Sequence, residues 1–227
     1  MNAIKNIKQN GWMYSIAILF NRLVPARLFR MRRFVVYRIA IEKASNAQSN
    51  GSAADSSITV HQCNTKADIE AVERMTYFQQ NRASGNALAY GVNLDDQIAA
   101  GMWAATERFD ENELGVRICL NENQTWLFAA LVPKQFRRRG LYSRLLNFTI
   151  IDMTERGYLD QLVAVNPDNI GSNRIHQALS EETMGHVLVI RLWKTACCWT
   201  SGNISKDSTI SWNAASRPIG IRFDPSN

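Results

Sequence analysis

A chain of 227 residues, 46% hydrophobic and 20% charged, can bury a substantial core, and this composition excludes disordered and fibrous classes. The net charge is +6, but residues 1–43 carry nine Lys and Arg against one acidic residue, whereas residues 44–227 carry a net −2. The positive charge therefore belongs to the N-terminal segment, and it does not favour nucleic acid as the partner of the main domain.

Residues 12–33 combine an apolar helical stripe with a run of arginines. The stripe consists of Trp12, Ile16, Leu19, Phe20 and Leu23. The run from Trp12 to Phe20 is shorter than the roughly 20 apolar residues that span a bilayer. Three interpretations stay open: a helix packed on the protein, a helix lying on an anionic membrane surface, or a signal peptide cleaved near Pro25.

The composition predicts a boundary before the main domain. Residues 34–42 alternate in polarity, which predicts a strand and makes residues 1–43 a basic extension of helix plus strand. Residues 44–57 are rich in Ser, Asn, Ala and Gly, as in a flexible linker. We therefore place one domain over residues 58–227, with a C-terminal hairpin formed by residues 208–212 and 219–223.

Strands precede helices in the main domain, which predicts a mixed α/β fold. The expected strands are residues 58–62, 87–92, 97–106, 115–120, 124–132, 161–166 and 186–193. The expected helices are residues 66–76, 141–156 and a short helix near Ser172. Residues 107–113 read as a polar loop. The four cysteines have no metal-ligand spacing, so we expect reduced thiols, no metal site and a cytoplasmic location.

The segment from Trp126 to His176 carries the strongest functional signal. An apolar strand ends at Pro133, and Arg137, Arg138, Arg139 and Gly140 then lead into a helix. Such a turn offers free backbone N–H groups and the positive end of a helix dipole to an anion. The alternative is that Gly140 is only a turn and the arginines are a solvated patch.

This turn resembles the phosphate loop of the GNAT superfamily of acyltransferases, Gln/Arg-x-x-Gly-x-Gly/Ala. Arg137 and Gly140 match that motif, whereas Tyr142 stands where the family has a small residue. A second family motif, Asn-x-x-Ala/Ser-x-x-Leu/Ile-Tyr, matches at Asn169, Ser172 and Ile175 and departs at His176, which replaces the tyrosine. The resemblance covers about residues 58–195.

The resemblance implies a mixed, largely antiparallel central sheet flanked by helices, with the fourth and fifth strands splayed apart. It also implies acetyl-CoA or another acyl-CoA as co-substrate. The diphosphate of this co-substrate would bind the turn formed by residues 137–142, that is Arg137, Arg138, Arg139, Gly140, Leu141 and Tyr142. Its pantetheine arm would pair with Ala130, Leu131 and Val132, and it would face Asn169 and Ser172.

The expected function is direct transfer of an acyl group, acetyl first, to a primary amine of a small molecule or peptide. His176 is the candidate proton donor to the leaving thiolate, because the family places a tyrosine there and a histidine titrates near neutral pH. The alternative is a purely structural role, in which His176 is a helix residue hydrogen-bonded to a backbone carbonyl. Glu107 is the candidate general base, although a loop carboxylate of this kind is usually only solvated.

Two rival functions remain at this point. The departures at Tyr142 and His176 allow an acyl-CoA-binding protein of the same fold without turnover. The arginine-rich N-terminus allows an RNA- or membrane-docking protein, although no base-stacking motif accompanies it. Membrane contact through residues 12–33 is compatible with the enzyme as well. The sequence does not define the oligomeric state.

Overall fold

The computed structural model describes residues 19–21, 23–25, 28–44, 57–78, 86–95 and 97–225. Its strands are β1 (Phe29–Ile39), β2 (Ile58–Gln62), β3 (Ala87–Leu94), β4 (Gln97–Ala105), β5 (Arg108–Glu111), β6 (Val116–Cys119), β7 (Gln124–Leu131), β8 (Asp160–Val165), β9 (Ser180–Leu192), β10 (Thr195–Gly202), β11 (Ile204–Lys206), β12 (Ile210–Ser211) and β13 (Ile219–Phe223). Its helices are α1 (Lys66–Thr76), α2 (Leu141–Glu155) and α3 (Ile170–Leu179).

Nine strands form one sheet in the order β12-β10-β9-β1-β8-β7-β4-β3-β2. Its neighbours pair antiparallel except β7 and β8, which run parallel and are joined through α2. Four strands, β11-β13-β6-β5, form a second, smaller sheet. The predicted mixed α/β fold, with a largely antiparallel sheet flanked by helices, is confirmed.

The large sheet is covered on both faces. α2 and α3 pack on one face, over Tyr90, Met102 and Val163. The small sheet packs on the other face, over Trp126 and Leu162. α1 lies on that second face too, against Trp103. β4 is therefore buried on both sides, which explains its run of small residues: Ala99, Ala100, Gly101, Ala104 and Ala105.

The N-terminal strand is not part of a separate extension. β1 is hydrogen-bonded to β8 on one side and to β9 on the other, so it lies inside the large sheet. The predicted boundary before residue 58 thus does not separate two structural units. The strand also begins earlier than expected, at Phe29. The linker over residues 45–56 and most of the helix over residues 12–23 lie outside the described part of the chain.

Three local expectations were wrong. Residues 107–113 contain the strand β5, because Phe109 and Leu114 anchor this polar segment in the core. Residues 208–212 and 219–223 do not form a hairpin together: β12 pairs with β10, and β13 pairs with β6 and β11. The strand expected over residues 186–193 begins earlier, at Ser180, directly after α3.

β7 and β8 separate towards their carboxyl ends. Their pairing stops at Leu127 and Val163, although β7 continues to Leu131 and β8 continues to Val165. β8 stays paired with β1 as far as Val165, so β7 is the strand that leaves its neighbour. The separation of these two strands, the fourth and fifth of the resembled family, is therefore present, and it exposes backbone groups in the middle of the sheet.

Candidate active site

The turn before α2 is open to solvent. Gly140 has φ +70° and Arg138 has φ +67°, so two residues adopt the left-handed conformation within three positions. Gly140 is the N-cap of α2 and provides no capping side chain. No heavy atom lies within 4 Å of the place where a Cβ on Gly140 would stand. A ligand can thus approach the backbone here.

The same turn carries a run of unpaired donors. Within the described part of the chain, the backbone N–H groups of residues 138–143 have no protein acceptor. The first turn of any helix leaves such groups free, and here the preceding loop adds more. Together with the positive end of the helix dipole, these donors suit an anion with several oxygens, such as a diphosphate.

The three arginines of the turn are exposed. Arg137 folds back, and its Nε donates to the carbonyl oxygen of Val132 at 3.0 Å. Arg138 and Arg139 extend into solvent. The predicted contacts of Arg137, Arg138, Arg139 and Leu141 with a phosphorylated ligand stay predictions, and the structure brings all four residues to one turn.

A β-bulge lies in the part of β7 that has left β8. Phe128 pairs with Trp103 and Leu131 pairs with Gly101, so two residues of β7 face one residue of β4. Ala129 adopts φ +47° to make this possible. A bulge of this kind re-aims backbone groups and is common beside active sites. Here it affects Ala130 and Leu131, two of the residues expected to contact the pantetheine arm.

His176 lies at the centre of a small hydrogen-bonded cluster between α2 and α3. It is 1% exposed. Its Nδ1 lies 2.8 Å from the carbonyl oxygen of Ser172 and 3.2 Å from Oγ of the same residue. Its Nε2 lies 2.9 Å from the hydroxyl of Tyr142. Tyr37 of β1 stacks on the imidazole, with 6.3 Å between ring centroids.

These contacts fix the protonation of the imidazole. A carbonyl oxygen can only accept, so Nδ1 carries the proton and donates it to Ser172. Nε2 is then the acceptor, and the Tyr142 hydroxyl donates to it. Burial lowers the pKa of His176, which favours the neutral ring. At neutral pH His176 therefore has no free N–H, and the expectation that it protonates the thiolate directly does not fit this geometry.

Asn169 and Ser172 serve the start of α3. The side chain of Asn169 is the N-cap and accepts from the backbone N–H of Ser172 at 3.2 Å. Ser172 is in turn bonded to His176, so these three residues form one chain of hydrogen bonds at the start of α3. Contact of Asn169 and Ser172 with a cofactor stays a prediction.

The state of His176 predicts a pH dependence of stability. Its pKa in the folded protein lies below the unfolded value of about 6.5. Between these two pKa values the unfolded chain binds a proton at His176 and the folded chain does not. Stability is complete above pH 6.5 and falls as the pH decreases towards the folded pKa, by about 1.4 kcal/mol per unit of pKa difference. Urea unfolding at pH 7.5 and pH 5 should show a smaller decrease for His176→Gln than for the wild type. Equal decreases would contradict this protonation state.

A cavity of about 440 Å³ lies on the other face of the large sheet. Leu127, Phe128 and Ala129 of β7 and Ala164 of β8 line it, which places it where the two strands separate. The helices α2 and α3 cover the opposite face. The strand separation therefore lies between the Tyr142–His176 cluster on one face and the cavity on the other.

Glu107 is not brought to this cavity. It is exposed in the bend between β4 and β5, where it accepts a hydrogen bond of 3.2 Å from Asn86. The bend follows Ala105, which pairs with Trp126 near the start of β7, so it lies at the end of the strand away from Gly140. Glu107 therefore lies too far from the cavity and from the turn at Gly140 to fit the expected role of general base.

Glu111 is the carboxylate that the sequence did not single out. It lies four residues after Glu107 and lines the cavity. Burial raises its pKa and the charge of Glu113 raises it further, whereas the charge of Arg32 and a hydrogen bond from the backbone N–H of Glu113 lower it. The sequence signal that could have identified Glu111 is its spacing from the apolar Phe109. Residues two apart on a strand face the same side, so Glu111 faces the cavity with Phe109.

Among the described helices, none combines the length and the apolar character that a membrane crossing requires. Contact of residues 12–33 with a membrane surface stays a prediction; residues 12–18, 22, 26 and 27 of this segment lie outside the described part of the chain.

No protein-family model matches this sequence, and no curated relative matches it. Several solved structures are similar to it. One, from Novosphingobium aromaticivorans, is classed with the GNAT-family acetyltransferases, with 16% identity, a TM-score of 0.46, and coverage of 72% of this chain and 60% of that one. A GCN5-related N-acetyltransferase from Kribbella flavida has 12% identity, a TM-score of 0.48, and coverage of 80% and 63%.

A third similar structure is AAC(6')-Iy in complex with the bisubstrate analogue CoA-S-monomethyl-acetylneamine, with 18% identity and a TM-score of 0.42. The match covers 56% of this chain and 92% of that one. The chain spans 60% and 63% of the length of the first two proteins.

Proposed function

We propose that this chain is an acyl-CoA-dependent N-acyltransferase that transfers an acyl group, acetyl in the first instance, directly to a primary amine. The observation that carries this proposal is the separation of β7 from β8, between an open anion-binding turn and a cavity on opposite faces of the sheet. A thioester from one side and an amine from the other can meet in such a gap. Transfer without a covalent acyl-enzyme requires that the amine and the thioester be held next to each other, that the amine lose a proton and that the leaving thiolate gain one.

The residues of the turn fit coenzyme A. The backbone N–H groups of residues 138–142 bind the diphosphate, and the absent side chain of Gly140 lets the oxygens approach. Tyr142 does not obstruct this position, because its ring turns towards His176 and no atom lies near the Cβ direction of Gly140. The bound acyl-CoA supplies the activated thioester.

Tyr142 takes the role that the resembled family gives to a tyrosine on the following helix. Its hydroxyl reaches α3 from α2 and is held by Nε2 of His176. Burial raises the pKa of Tyr142, so the hydroxyl remains protonated at neutral pH. As the thiolate forms, the Tyr142 O–H turns from Nε2 of His176 to the sulfur and gives it the proton, and His176 positions the phenol until then. The tyrosine then regains its proton from solvent.

The acceptor and the acyl carbon meet in the gap. A neutral amine forms the new C–N bond as the C–S bond breaks, and the amine loses one proton. Glu111 accepts that proton, directly or through water, because its raised pKa makes it a better base than an exposed carboxylate. The backbone N–H groups freed by the bulge at Ala129 stabilise the negative charge on the acyl oxygen.

Replacement of Tyr142 tests this assignment. We expect Tyr142→Phe to lower kcat about 100-fold or more, the usual contribution of a general acid, and to leave the affinity for acetyl-CoA unchanged within about threefold. Thiol release over a panel of primary amines gives kcat, and isothermal titration with acetyl-CoA gives the affinity. Tyr158→Phe, at the other end of α2, is the matched control and should behave as the wild type.

A double variant separates a chemical role from a structural one. Tyr142→Ala with His176→Tyr returns the phenol to α3, as in the resembled family. If the hydroxyl acts chemically, this pair should release thiol faster than Tyr142→Ala alone. Equal rates, or an unchanged kcat in Tyr142→Phe, would remove Tyr142 from the mechanism.

A second candidate function is an acyl-CoA-binding protein of the same fold without turnover. The observation that favours it is that both ring nitrogens of His176 are bonded within the protein. Calorimetric binding of acetyl-CoA without thiol release from any amine would support this candidate and overturn the enzymatic one.

A further inference from the structure

Three phenylalanines form one wall of the cavity on the small-sheet face. The ring centroids of Phe109 and Phe128 lie 4.3 Å apart, and those of Phe78 and Phe128 lie 4.8 Å apart. Each ring comes from a different segment: Phe78 follows α1, Phe109 belongs to β5 and Phe128 to β7. Phe34 of β1 also lines the cavity. This wall suits an apolar, flat or branched body.

The other part of the cavity is acidic. Asp110, Glu111 and Glu113 line it, and Arg32 is the one cation among the described lining residues. Asp110 accepts two hydrogen bonds from Arg117, of 2.6 and 3.0 Å, and Glu113 lies 3.6 Å from both Arg30 and Arg32. Within the described part of the chain, Glu111 forms no ion pair. Its half-buried carboxylate is therefore the one that gains most from an incoming cation.

Glu111 lies on the open side of the strand separation. β8 is paired with β1 up to Val165 and Val35, and β1 extends beyond that pair to Arg32. Arg32 is the cation whose charge acts on Glu111. A positive group that pairs with Glu111 would therefore lie beyond the last paired residues of β7 and β8, where the two strands are separated.

We propose that the acceptor is a monoamine with a compact aromatic or branched alkyl body, whose ammonium pairs with Glu111 and whose body lies on Phe78, Phe109 and Phe128. This inference rests on the proposed acyl transfer for its chemistry, but it assigns the occupant of the cavity independently of turnover. The ammonium loses one proton to solvent to become the neutral nucleophile, and the same carboxylate accepts the second proton as the C–N bond forms and the C–S bond breaks.

The cavity discriminates against hydrophilic amines. Its volume of about 440 Å³ admits one ring and a short chain. An aminosugar would bury hydroxyl groups against phenylalanines. A polyamine would bring further ammonium groups, whereas Glu111 is the one carboxylate of the described lining without an ion pair. Both classes should therefore bind more weakly than 2-phenylethylamine.

The test measures binding and transfer separately on the full chain. Isothermal titration without acyl-CoA should show that 2-phenylethylamine binds at least tenfold more tightly than spermidine or neamine. Glu111→Gln should weaken 2-phenylethylamine binding roughly 10- to 100-fold, and Glu111→Asp should retain part of it. Glu122→Gln, an exposed residue of the loop between β6 and β7, is the matched control and should change nothing. Thermal unfolding of each variant verifies that it is folded.

The outcomes are distinct. Binding of 2-phenylethylamine that depends on Glu111, but without thiol release in the presence of acetyl-CoA, supports the cavity assignment and overturns the proposed transferase function. Thiol release with spermidine or neamine and not with 2-phenylethylamine supports the transferase and overturns the assigned acceptor class. Equal affinity in Glu111→Gln and the wild type also overturns the assignment.

Discussion

Gly140→Asp should lower the affinity for coenzyme A at least about 100-fold, which corresponds to about 2.7 kcal/mol. Two effects act in the same direction. A side chain at φ +70° disfavours the turn conformation that binds the ligand, by up to roughly 1–2 kcal/mol and by less for Asp and Asn. A carboxylate within about 5 Å of a diphosphate adds a repulsion of a few kcal/mol at an effective dielectric constant near 20. Calorimetric titration with coenzyme A measures the loss.

Two controls separate charge from backbone strain. Gly140→Asn has the same shape as the aspartate and tolerates the left-handed conformation, so it should lose less than about tenfold. Gly157→Asp places the same residue at the other end of α2, also at positive φ (+94°) and in open space, and should bind coenzyme A as the wild type does. If Gly140→Asp and Gly140→Asn bind equally well, the turn does not hold an anion.

Arg38→Met should lower the free energy of unfolding by about 3–5 kcal/mol, the usual cost of removing one partner of a buried ion pair. Arg38 is 6% exposed and Asp160 is 2% exposed. Arg38 donates to Asp160 at 2.8 Å and to Glu182 at 2.7 Å, and it also bonds to the carbonyl oxygen of Asp224. The substitution would leave the Asp160 carboxylate buried with only Gln124 as a donor. Urea unfolding at pH 7 measures the change.

The same substitution at an exposed site is the control for this prediction. Arg74 on α1 pairs with Glu70 at 3.9 Å, and both side chains are exposed. Arg74→Met should therefore change the free energy of unfolding by less than about 0.5 kcal/mol. A loss below 1 kcal/mol for Arg38→Met would show that the buried pair does not hold β1 against β8 and β9.

Local patterns predicted much of this fold. The helix over residues 66–76 and the strands around residues 58–62 and 124–131 follow from periodicity, capping and turn residues that act within a few positions. The turn at Gly140 and the motif from Asn169 to His176 could be aligned with a family because both are short and contiguous. These features need no knowledge of distant parts of the chain.

The pairing of strands that are distant in sequence could not be predicted from local patterns. The alternation in residues 34–42 predicted a strand, but nothing local says that it enters the sheet between residues 160–165 and 180–192. In the sequence Glu111 resembles the other carboxylates of a polar segment, and only the structure shows that it lies in the small sheet and lines the cavity. Tyr142 and His176 each departed from the family pattern, and only the structure shows that the two departures touch one another.

The position of β1 has a consequence for synthesis on the ribosome. This strand emerges first, yet both of its partners lie more than 120 residues later, in β8 and β9. At 5–20 residues per second it waits on the order of ten seconds for the first of them. During that interval its apolar edge groups are unprotected, so the nascent chain is a natural client for a chaperone that holds extended segments. Contacts so distant in sequence also predict slow refolding from denaturant.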